Sequence, residues 1–208
     1  MLGPPGAGKG TQAERFARSR GVPRVSTGDI LREAVATGSE FGKAAKLVMD
    51  SGRLVGDEIV IGIVRERLSQ PDAQKGFILD GFPRTVAQAE ALDAMLDPRI
   101  PLIVVDIEVS EETLVRRLDA RRICSSCGTT APPADPRCGK CGGALVPRPD
   151  DDVDVVRERL HVYANDTQPI VEYYRHRPTF RSVDGDQTQE SVAADISAAV
   201  ASVSGGRE

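Results

Sequence analysis

The sequence predicts an α/β fold, a doubly wound parallel sheet with helices on both faces, and three observations support this prediction. Short apolar segments alternate with stretches of helical periodicity, as they do in βαβ units. The run Leu102–Val109 is apolar nearly throughout, as expected for a parallel strand that is covered on both faces. A glycine-rich loop, Gly3–Thr11, leads directly into a helical segment. The length of 208 residues suits one domain with an inserted subdomain.

The composition is that of an ordinary globular protein and argues against several functional classes. Hydrophobic residues make up 40% of the chain and charged residues 28%. The net charge of −4 argues against a general nucleic-acid-binding protein, which is usually basic. No apolar run approaches the ~20 residues of a membrane span, and no signal peptide is recognisable. We therefore expect a cytoplasmic protein without nucleic-acid or membrane partners.

The glycine-rich loop has the pattern of a phosphate-binding loop. Gly3–Thr11 fits G-x-x-x-x-G-K, except that the hydroxyl residue Thr11 comes one place late because Gly10 follows Lys9. Glycines let successive N–H groups point at one anion, and the N-terminus of the next helix also favours phosphate. Lys9 can neutralise the outer phosphates, and Thr11 can reach a metal ion. A loop without function is the alternative, and the placed lysine and threonine disfavour it.

The strand that normally precedes such a loop is nearly missing. Only Met1 and Leu2 come before Gly3, whereas a phosphate loop normally follows a buried strand. We expect either that these two residues form a stub of the strand or that the strand begins upstream of Met1.

Helical spacing and turn residues predict the elements of the first half of the chain. Thr27 or Asp29 is placed to cap one helix, and Asp57 is a good N-cap for another. From Val60, apolar residues recur at i, i+4 and i+8, which indicates an amphipathic helix. The predicted helices are Gln12–Arg20, Ile30–Ala36, Lys43–Ser51, Asp57–Leu68 and Thr85–Leu96. The end of a strand followed by a turn is predicted at Val25–Asp29, and a short apolar strand at Phe77–Asp80.

The second half continues the alternation after the strand Leu102–Val109. Glu111–Arg122 has acidic residues at its start and basic residues at its end, which matches the helix dipole. Val153–Arg177 is also helical, and Pro169 should kink it. The remaining predictions are a strand at Arg181–Asp184, a helix at Ser191–Val203 and a frayed end at Gly205–Glu208.

Between these helices the composition changes, and Cys124–Asp152 is predicted to be an inserted, loop-like module. It contains two C-x-x-C-G knuckles, whose four cysteines are Cys124, Cys127, Cys138 and Cys141. A closed shell of four thiolates leaves no open coordination position, so the pattern predicts structural Zn²⁺. Disulfides are the alternative, which a reducing compartment disfavours. The module is too small for a hydrophobic core, so metal must hold it.

Several motifs taken together resemble one family. The phosphate loop, Ser26-Thr27-Gly28-Asp29 with Arg32, and Asp80-Gly81-Phe82-Pro83-Arg84 appear in family order. Arg117, Arg121 and the segment from Arg148 through Asp150-Asp151 to Arg159 follow. The chain is similar to the adenylate kinases, members of the nucleoside monophosphate kinase family, and specifically to the type with a long zinc-binding lid. The resemblance runs from Gly3 to about Thr188.

The resemblance implies a P-loop NTPase-type core with an inserted zinc-knuckle lid and a helical NMP-binding segment. The core would comprise residues 1–25, 56–119 and 152–208, the NMP-binding segment residues 26–55, and the lid residues 120–151. The implied reaction is reversible phosphoryl transfer from ATP to AMP with Mg²⁺, in a monomer. The knuckle spacer Ala131–Pro136 is shorter than is usual in the family and is rich in proline.

The resemblance also implies a role for each motif residue, and arginines that fork onto phosphates suit such a reaction. The catalytic set would be Lys9, Asp80, Arg84, Arg117, Arg121, Arg148 and Arg159, with Asp80 organising Mg²⁺ through water. The ATP site would comprise Gly6, Ala7, Gly8, Lys9, Gly10, Thr11, Arg121 and Gln187. The AMP site would comprise Thr27, Arg32, Arg53, Leu54, Val55, Gly81, Phe82, Pro83, Arg84, Gln88, Arg148 and Arg159.

The acceptor is predicted from two features, and two other functions stay open. Ser26-Thr27-Gly28 matches adenylate-type members, and the amide of Gln88 can both donate to and accept from an adenine edge. The alternatives are a kinase of another nucleoside monophosphate and a zinc-ribbon binding protein with a vestigial phosphate loop. His161 and His176 lie outside every motif and are expected on the surface.

Overall fold

The computed structural model describes residues 1–38, 40–131 and 135–204 and confirms the α/β class. Two pairs of parallel strands form the sheet: β1 (Arg24–Ser26) with β2 (Ile78–Asp80), and β3 (Val104–Glu108) with β7 (Phe180–Asp184). In the first pair Val25 lies opposite Leu79. The predicted positions of all four strands are confirmed, with boundaries that differ by at most three residues.

Met1 and Leu2 join the two pairs of strands. Leu2 forms a parallel bridge with Asp106, its N–H donating to Val105 O at 2.7 Å, and the Met1 amine donates to Leu79 O at 3.0 Å. Leu2 is 4% exposed. These two residues therefore occupy the centre of the sheet, between β2 and β3, in the position of the strand that normally precedes a phosphate loop.

Residues added before Met1 would continue this central strand. We expect an extension of four to six apolar residues to raise the melting temperature, by about 2–4 °C for each kcal/mol gained, because it would pair alongside Ile78 and Val104. Differential scanning calorimetry checks this against an extension of equal length made of Gly and Ser. Equal melting temperatures for the two extensions would show that no strand forms there.

The helices cover both faces of the sheet. Val105 and Ile107 of β3 pack with one group of helices, whereas Val104, the residue before them, packs with Ile170 and Tyr174. The helices are α1 Lys9–Arg20, α2 Thr27–Ala36, α3 Glu40–Asp50, α4 Asp57–Leu68, α5 Val86–Met95, α6 Glu111–Ala120, α7 Val153–Val162, α8 Pro169–Arg175 and α9 Gln189–Ser204. Alternate β3 residues facing different helices is the arrangement of a doubly wound sheet.

Two predicted helix caps are wrong. Ser26, rather than Thr27 or Asp29, caps α2, since its hydroxyl accepts the N–H of Asp29 at 3.3 Å and the helix begins three residues early. Gly56 precedes α4, so Asp57 is the first helical residue and its side chain is free for tertiary contacts.

Pro169 marks a real interruption of the long helix predicted at Val153–Arg177. The chain forms α7, then a π-helical turn at Tyr163–Thr167, and then α8, which begins at Pro169. The Gln168 N–H donates to Tyr163 O at 2.8 Å, which is the wider π spacing. Proline lacks the N–H that a continuous helix would need at this position.

The cysteine module has more regular structure than predicted. Short antiparallel strands run through it: β4 (Arg122–Cys124) pairs with β5 (Thr130–Ala131) on one side and β6 (Leu145–Pro147) on the other. A further single-turn 3₁₀ helix, Pro149–Asp151, leads into α7. Part of the proline-rich spacer and the predicted frayed end Gly205–Glu208 lie outside the described residues. Among the helices that are described, none is both long and apolar enough to cross a membrane.

Candidate active site

The phosphate loop connects the central residue Leu2 to α1. Gly6 and Gly8 have φ of 89° and 91°, in the region that residues with a Cβ rarely adopt. The Lys9 ammonium folds back over the loop and donates to Gly3 O at 2.7 Å and to Pro4 O at 2.8 Å. The loop and lysine thus form a compact unit in which Lys9 lies where a phosphate group would enter.

The environment of Lys9 is dominated by burial and positive charge. The pKa of Lys9 is lowered to about 7, chiefly by burial; Asp80 opposes this shift, and the guanidinium groups of Arg84, Arg159 and Arg121 contribute to it. Cations gathered in this way are favourable only when an anion lies between them. The arrangement therefore suits a ligand with several negative charges.

A cleft opens beside the loop. It brings together residues predicted for both substrates, including Lys9 from the phosphate loop and Arg148 and Arg159 from the far side. Predicted AMP-site residues that line it are Thr27, Arg32, Arg53, Leu54, Val55, Gly81, Pro83, Arg84 and Gln88. Phe82 is instead 1% exposed and packs in the hydrophobic core, so only its backbone is available to a ligand.

Asp80 ends β2 next to the phosphate loop and has a partner that sequence reasoning missed. Arg24 donates to Asp80 Oδ2 through Nη2 at 2.7 Å and Nε at 3.1 Å, and also pairs with Asp29. The pair lies against Gly10, where a Cβ would come within 3.2 Å of Asp80 Oδ2. The carboxylate therefore lies beside Gly10, the residue that precedes Thr11, and carboxylate and hydroxyl oxygens are donors of the kind that Mg²⁺ prefers. Arg24 could not be recognised as the partner of Asp80 from the sequence, because a basic residue on a neighbouring strand forms no local motif.

Three predicted site arginines, Arg121, Arg148 and Arg159, are paired with the carboxylates of Asp150 and Asp151. Arg121 binds Asp151 with two N–H groups, and Arg148 binds Asp150 in the same way. Arg159 donates to Asp150 O at 2.8 Å and to Asp151 Oδ1 at 2.9 Å. Burial lowers the pKa of Arg159 to about 10. Forked arginines that hold carboxylates can equally hold phosphate oxygens of similar geometry.

Other predicted residues are more peripheral. Arg117 donates to Gly185 O at 2.7 Å, which ties α6 to the loop that carries Gln187. Arg32 pairs with Asp29 at the edge of the cleft. The two histidines lie exposed on the surface, as expected.

Gln88 lies at the base of the cleft and is held by residues from two segments of the chain. Its Oε1 accepts the Arg84 N–H at 2.7 Å, and its Nε2 donates to Asp57 Oδ1 at 2.7 Å. Thr85 completes the network by donating from Oγ1 to Asp57 Oδ2 at 2.9 Å. Sequence reasoning missed Asp57 as a site residue because it treated this residue only as a helix cap.

The four cysteines converge as the knuckle pattern predicts. Their sulfur atoms all lie within 4.8 Å of one another, with Cys124 and Cys141 at 3.4 Å and Cys127 and Cys138 at 3.6 Å. With Zn–S bonds of about 2.3 Å, sulfurs of a tetrahedral site are about 3.8 Å apart. The Ser126 N–H also points at Cys124 Sγ, at 3.4 Å. The donor set and its spacing fit a structural Zn²⁺ ion.

Comparison with known proteins agrees with this geometry. The chain matches the family model for adenylate kinase over residues 1–179. It is 54% identical over 206 residues to an adenylate kinase of Archaeoglobus fulgidus, covering 95% of each chain. It is 50% identical to one of Nitrosococcus oceani over 205 residues, 94% of each chain, and 49% identical to one of Rhizobium etli over 207 residues, 95% of this chain and 96% of the relative. The chain therefore belongs to the adenylate kinase family.

Proposed function

We propose that the chain transfers the terminal phosphoryl group of ATP to AMP, giving two ADP, and that the cleft holds the two nucleotides end to end. The observation that carries this proposal is the convergence of Lys9, Arg84, Arg148 and Arg159 on one cleft from separate segments. Membership of the adenylate kinase family supports the reaction. Phosphoryl transfer requires positioning and charge neutralisation rather than covalent chemistry by the protein.

On the donor side, the phosphate loop Gly6–Thr11 receives the triphosphate. Its N–H groups and the N-terminus of α1 bind phosphate oxygens, and Lys9 exchanges its carbonyl partners Gly3 and Pro4 for the outer phosphates. Arg117 positions the loop at Gly185, whose neighbour Gln187 is the predicted contact for the adenine of ATP.

On the acceptor side, Arg84 and Arg32 bind the monophosphate, and Gln88 binds the adenine. Both arginines lie exposed or partly exposed at the cleft, where a forked guanidinium can reach phosphate oxygens. The backbone of Arg53–Val55 and Thr27 complete this side. We assign residues 26–55 to the AMP-binding segment and residues 120–151 to the lid.

Arginines of the lid and of α7 bind the phosphoryl group in transit. Arg121, Arg148 and Arg159 now hold Asp150 and Asp151, and we propose that phosphates replace these carboxylates as partners when the nucleotides bind. Closing the lid then excludes water, so that AMP and not water receives the phosphoryl group.

Two metals complete the proposed enzyme. Mg²⁺ would be held beside the loop by the ATP phosphates, Thr11 and, through water, Asp80, and it would neutralise charge on the phosphates. Zn²⁺ would be held by the four cysteines and supplies no chemistry to the transfer. The monomeric state and the cytoplasmic location stay predictions.

The acceptor assignment is tested by Arg84→Ala. Because one forked contact to the monophosphate is lost, we expect AMP affinity to fall by about tenfold to a hundredfold while ATP affinity changes little. Titration calorimetry with each nucleotide alone measures both. Arg67→Ala is the control, since Arg67 pairs with Asp72 outside the cleft and carries the same charge. An equal loss for both nucleotides would contradict the assignment.

A further inference from the structure

The side-chain amide of Gln88 is bound by two partners that each allow one orientation. A carboxylate such as Asp57 only accepts hydrogen bonds, so the amide must present Nε2 to it. The backbone N–H of Arg84 only donates, so the amide must present Oε1 to it. Rotating the amide by half a turn would bring oxygen to oxygen and N–H to N–H. The orientation of Gln88 is therefore fixed by the chemistry of its partners.

Asp57 is itself held in place. It is the first residue of α4, where the helix dipole favours a negative charge, and its other oxygen accepts the hydroxyl of Thr85 at 2.9 Å. Thr85 in turn caps α5 by accepting the N–H of Gln88 at 3.2 Å. The carboxylate of Asp57 thus connects the starts of α4 and α5 to the side-chain amide of Gln88. Gln88 itself is only 1% exposed.

The fixed amide still has unused hydrogen-bonding capacity toward the cleft. A primary amide has two N–H groups and two oxygen lone pairs, and the protein uses one of each. One N–H and one lone pair remain, and Gln88 lines the cleft. An adenine base complements this pair, with N1 as acceptor and the 6-amino group as donor. A 6-oxopurine has the reverse pattern, with a donor at N1 and an acceptor at position 6.

We infer that Asp57 is a positioning residue that locks the amide of Gln88 and thereby selects 6-aminopurine over 6-oxopurine monophosphates as acceptors. The inference rests on the acceptor site proposed above. A freely rotating amide could satisfy either base by turning over, and would select neither. The locked amide places like groups against a 6-oxopurine, leaving buried polar groups unpaired, and this rejects such a base more strongly than the loss of a single contact would.

The test compares acceptors in Asp57→Ala. In this variant the amide has lost its acceptor-only partner, so we expect the ratio of kcat/KM for AMP to that for IMP to fall by about tenfold to a hundredfold, the effect of one hydrogen bond to a charged group. Purine riboside monophosphate has no group at position 6, so it lacks one hydrogen bond to the amide but presents no group of the wrong kind. The ratio of kcat/KM for AMP to that for this analogue should therefore change less than the ratio for AMP and IMP. Binding of AMP and IMP, measured by calorimetry, should show the same shift without turnover.

Matched variants separate the lock from general damage. Glu58→Ala removes the same charge from the adjacent, exposed position of α4 and should keep the wild-type ratio. Asp57→Asn keeps the shape, but its amide can accept from or donate to the amide of Gln88 in either orientation, so its ratio should fall as that of Asp57→Ala does, without a loss of packing. Melting temperatures of all variants show whether each is folded.

The outcomes distinguish this inference from the proposed function. If the wild type prefers AMP and Asp57→Ala slows AMP and IMP alike, Asp57 is merely structural and the inference is overturned while the proposed function stands. If the wild type accepts IMP as readily as AMP, the proposed acceptor is wrong and the inference is overturned with it. A ratio that falls in Asp57→Ala and not in Glu58→Ala supports the lock.

Discussion

Replacing Lys9 by Met is expected to lower turnover on the order of 10³-fold or more, because the transferring phosphoryl group loses its closest fixed positive charge. Lys9 is the loop's only side-chain cation, and it already lies over the loop carbonyls of Gly3 and Pro4. AMP affinity should change little, since the acceptor contacts lie on Arg84 and Gln88. A coupled assay of ADP formation measures turnover, and calorimetry measures AMP binding.

A matched lysine and the pH dependence make this prediction sharper. Lys75→Met, at an exposed position in a 3₁₀ turn, should retain full activity. Because the pKa of Lys9 is about 7 in the free protein, the ammonium loses its proton as pH rises through 7. The triphosphate favours the charged form, so wild-type ATP affinity should fall with rising pH and binding at about pH 8 should take up a proton. Near-normal turnover in Lys9→Met would show that the loop is not the donor site.

Removing the metal from the cysteine cluster is expected to have the largest effect on stability. The apparent energy of zinc binding in small zinc peptides is about 10–16 kcal/mol, so metal is the main source of order in a module this small. In Cys138→Ser with chelator we expect a strongly lowered melting temperature and loss of zinc from about one ion per chain to nearly none. Calorimetry and elemental analysis measure these two quantities.

The same variant should lose only part of its activity at moderate temperature. No cysteine is expected to touch phosphate, whereas Arg121 and Arg148 flank the cluster in sequence and would lose only their fixed positions. Lys140→Ala, an exposed change inside the second knuckle, should keep its zinc and its stability. Abolished activity in a variant that is still folded, or an unchanged melting temperature after metal removal, would each defeat the structural role of zinc.

Patterns that are local in sequence are sufficient to predict much of this protein. The loop Gly3–Thr11, the knuckles at Cys124 and Cys138 and the apolar strand at Leu102–Val109 each carry their chemistry within a few residues. Residues close together in sequence are enough to specify each of these features: a glycine with positive φ, two thiolates on one turn, or a strand of apolar residues. The fold class, the zinc ligands and the family could therefore be predicted from the sequence.

Helix boundaries were less predictable because competing caps lie side by side. Ser26, Thr27 and Asp29 are all chemically able to cap α2, and the backbone turn at β1 decides for Ser26. The π-helical turn before Pro169 is likewise one of several backbone conformations that can accommodate a residue without an N–H, and the sequence does not specify which of them forms. The role of Leu2 in the centre of the sheet became clear only with β2 and β3 on either side of it.

The tertiary structure alone decided which charged and polar groups meet. Arg24 and Asp80 are 56 residues apart, and Asp57 and Gln88 are 31 apart, yet each pair is in hydrogen-bond contact. Such contacts have no period and no motif, because they depend on how the ends of separate strands and helices come together. The sequence by itself determined which residues can bind phosphate, zinc and a base, through the chemistry of each local motif. The packing of β1 beside β2 and of α4 beside α5 decided which carboxylate pairs with Arg24 and which one holds Gln88 in position.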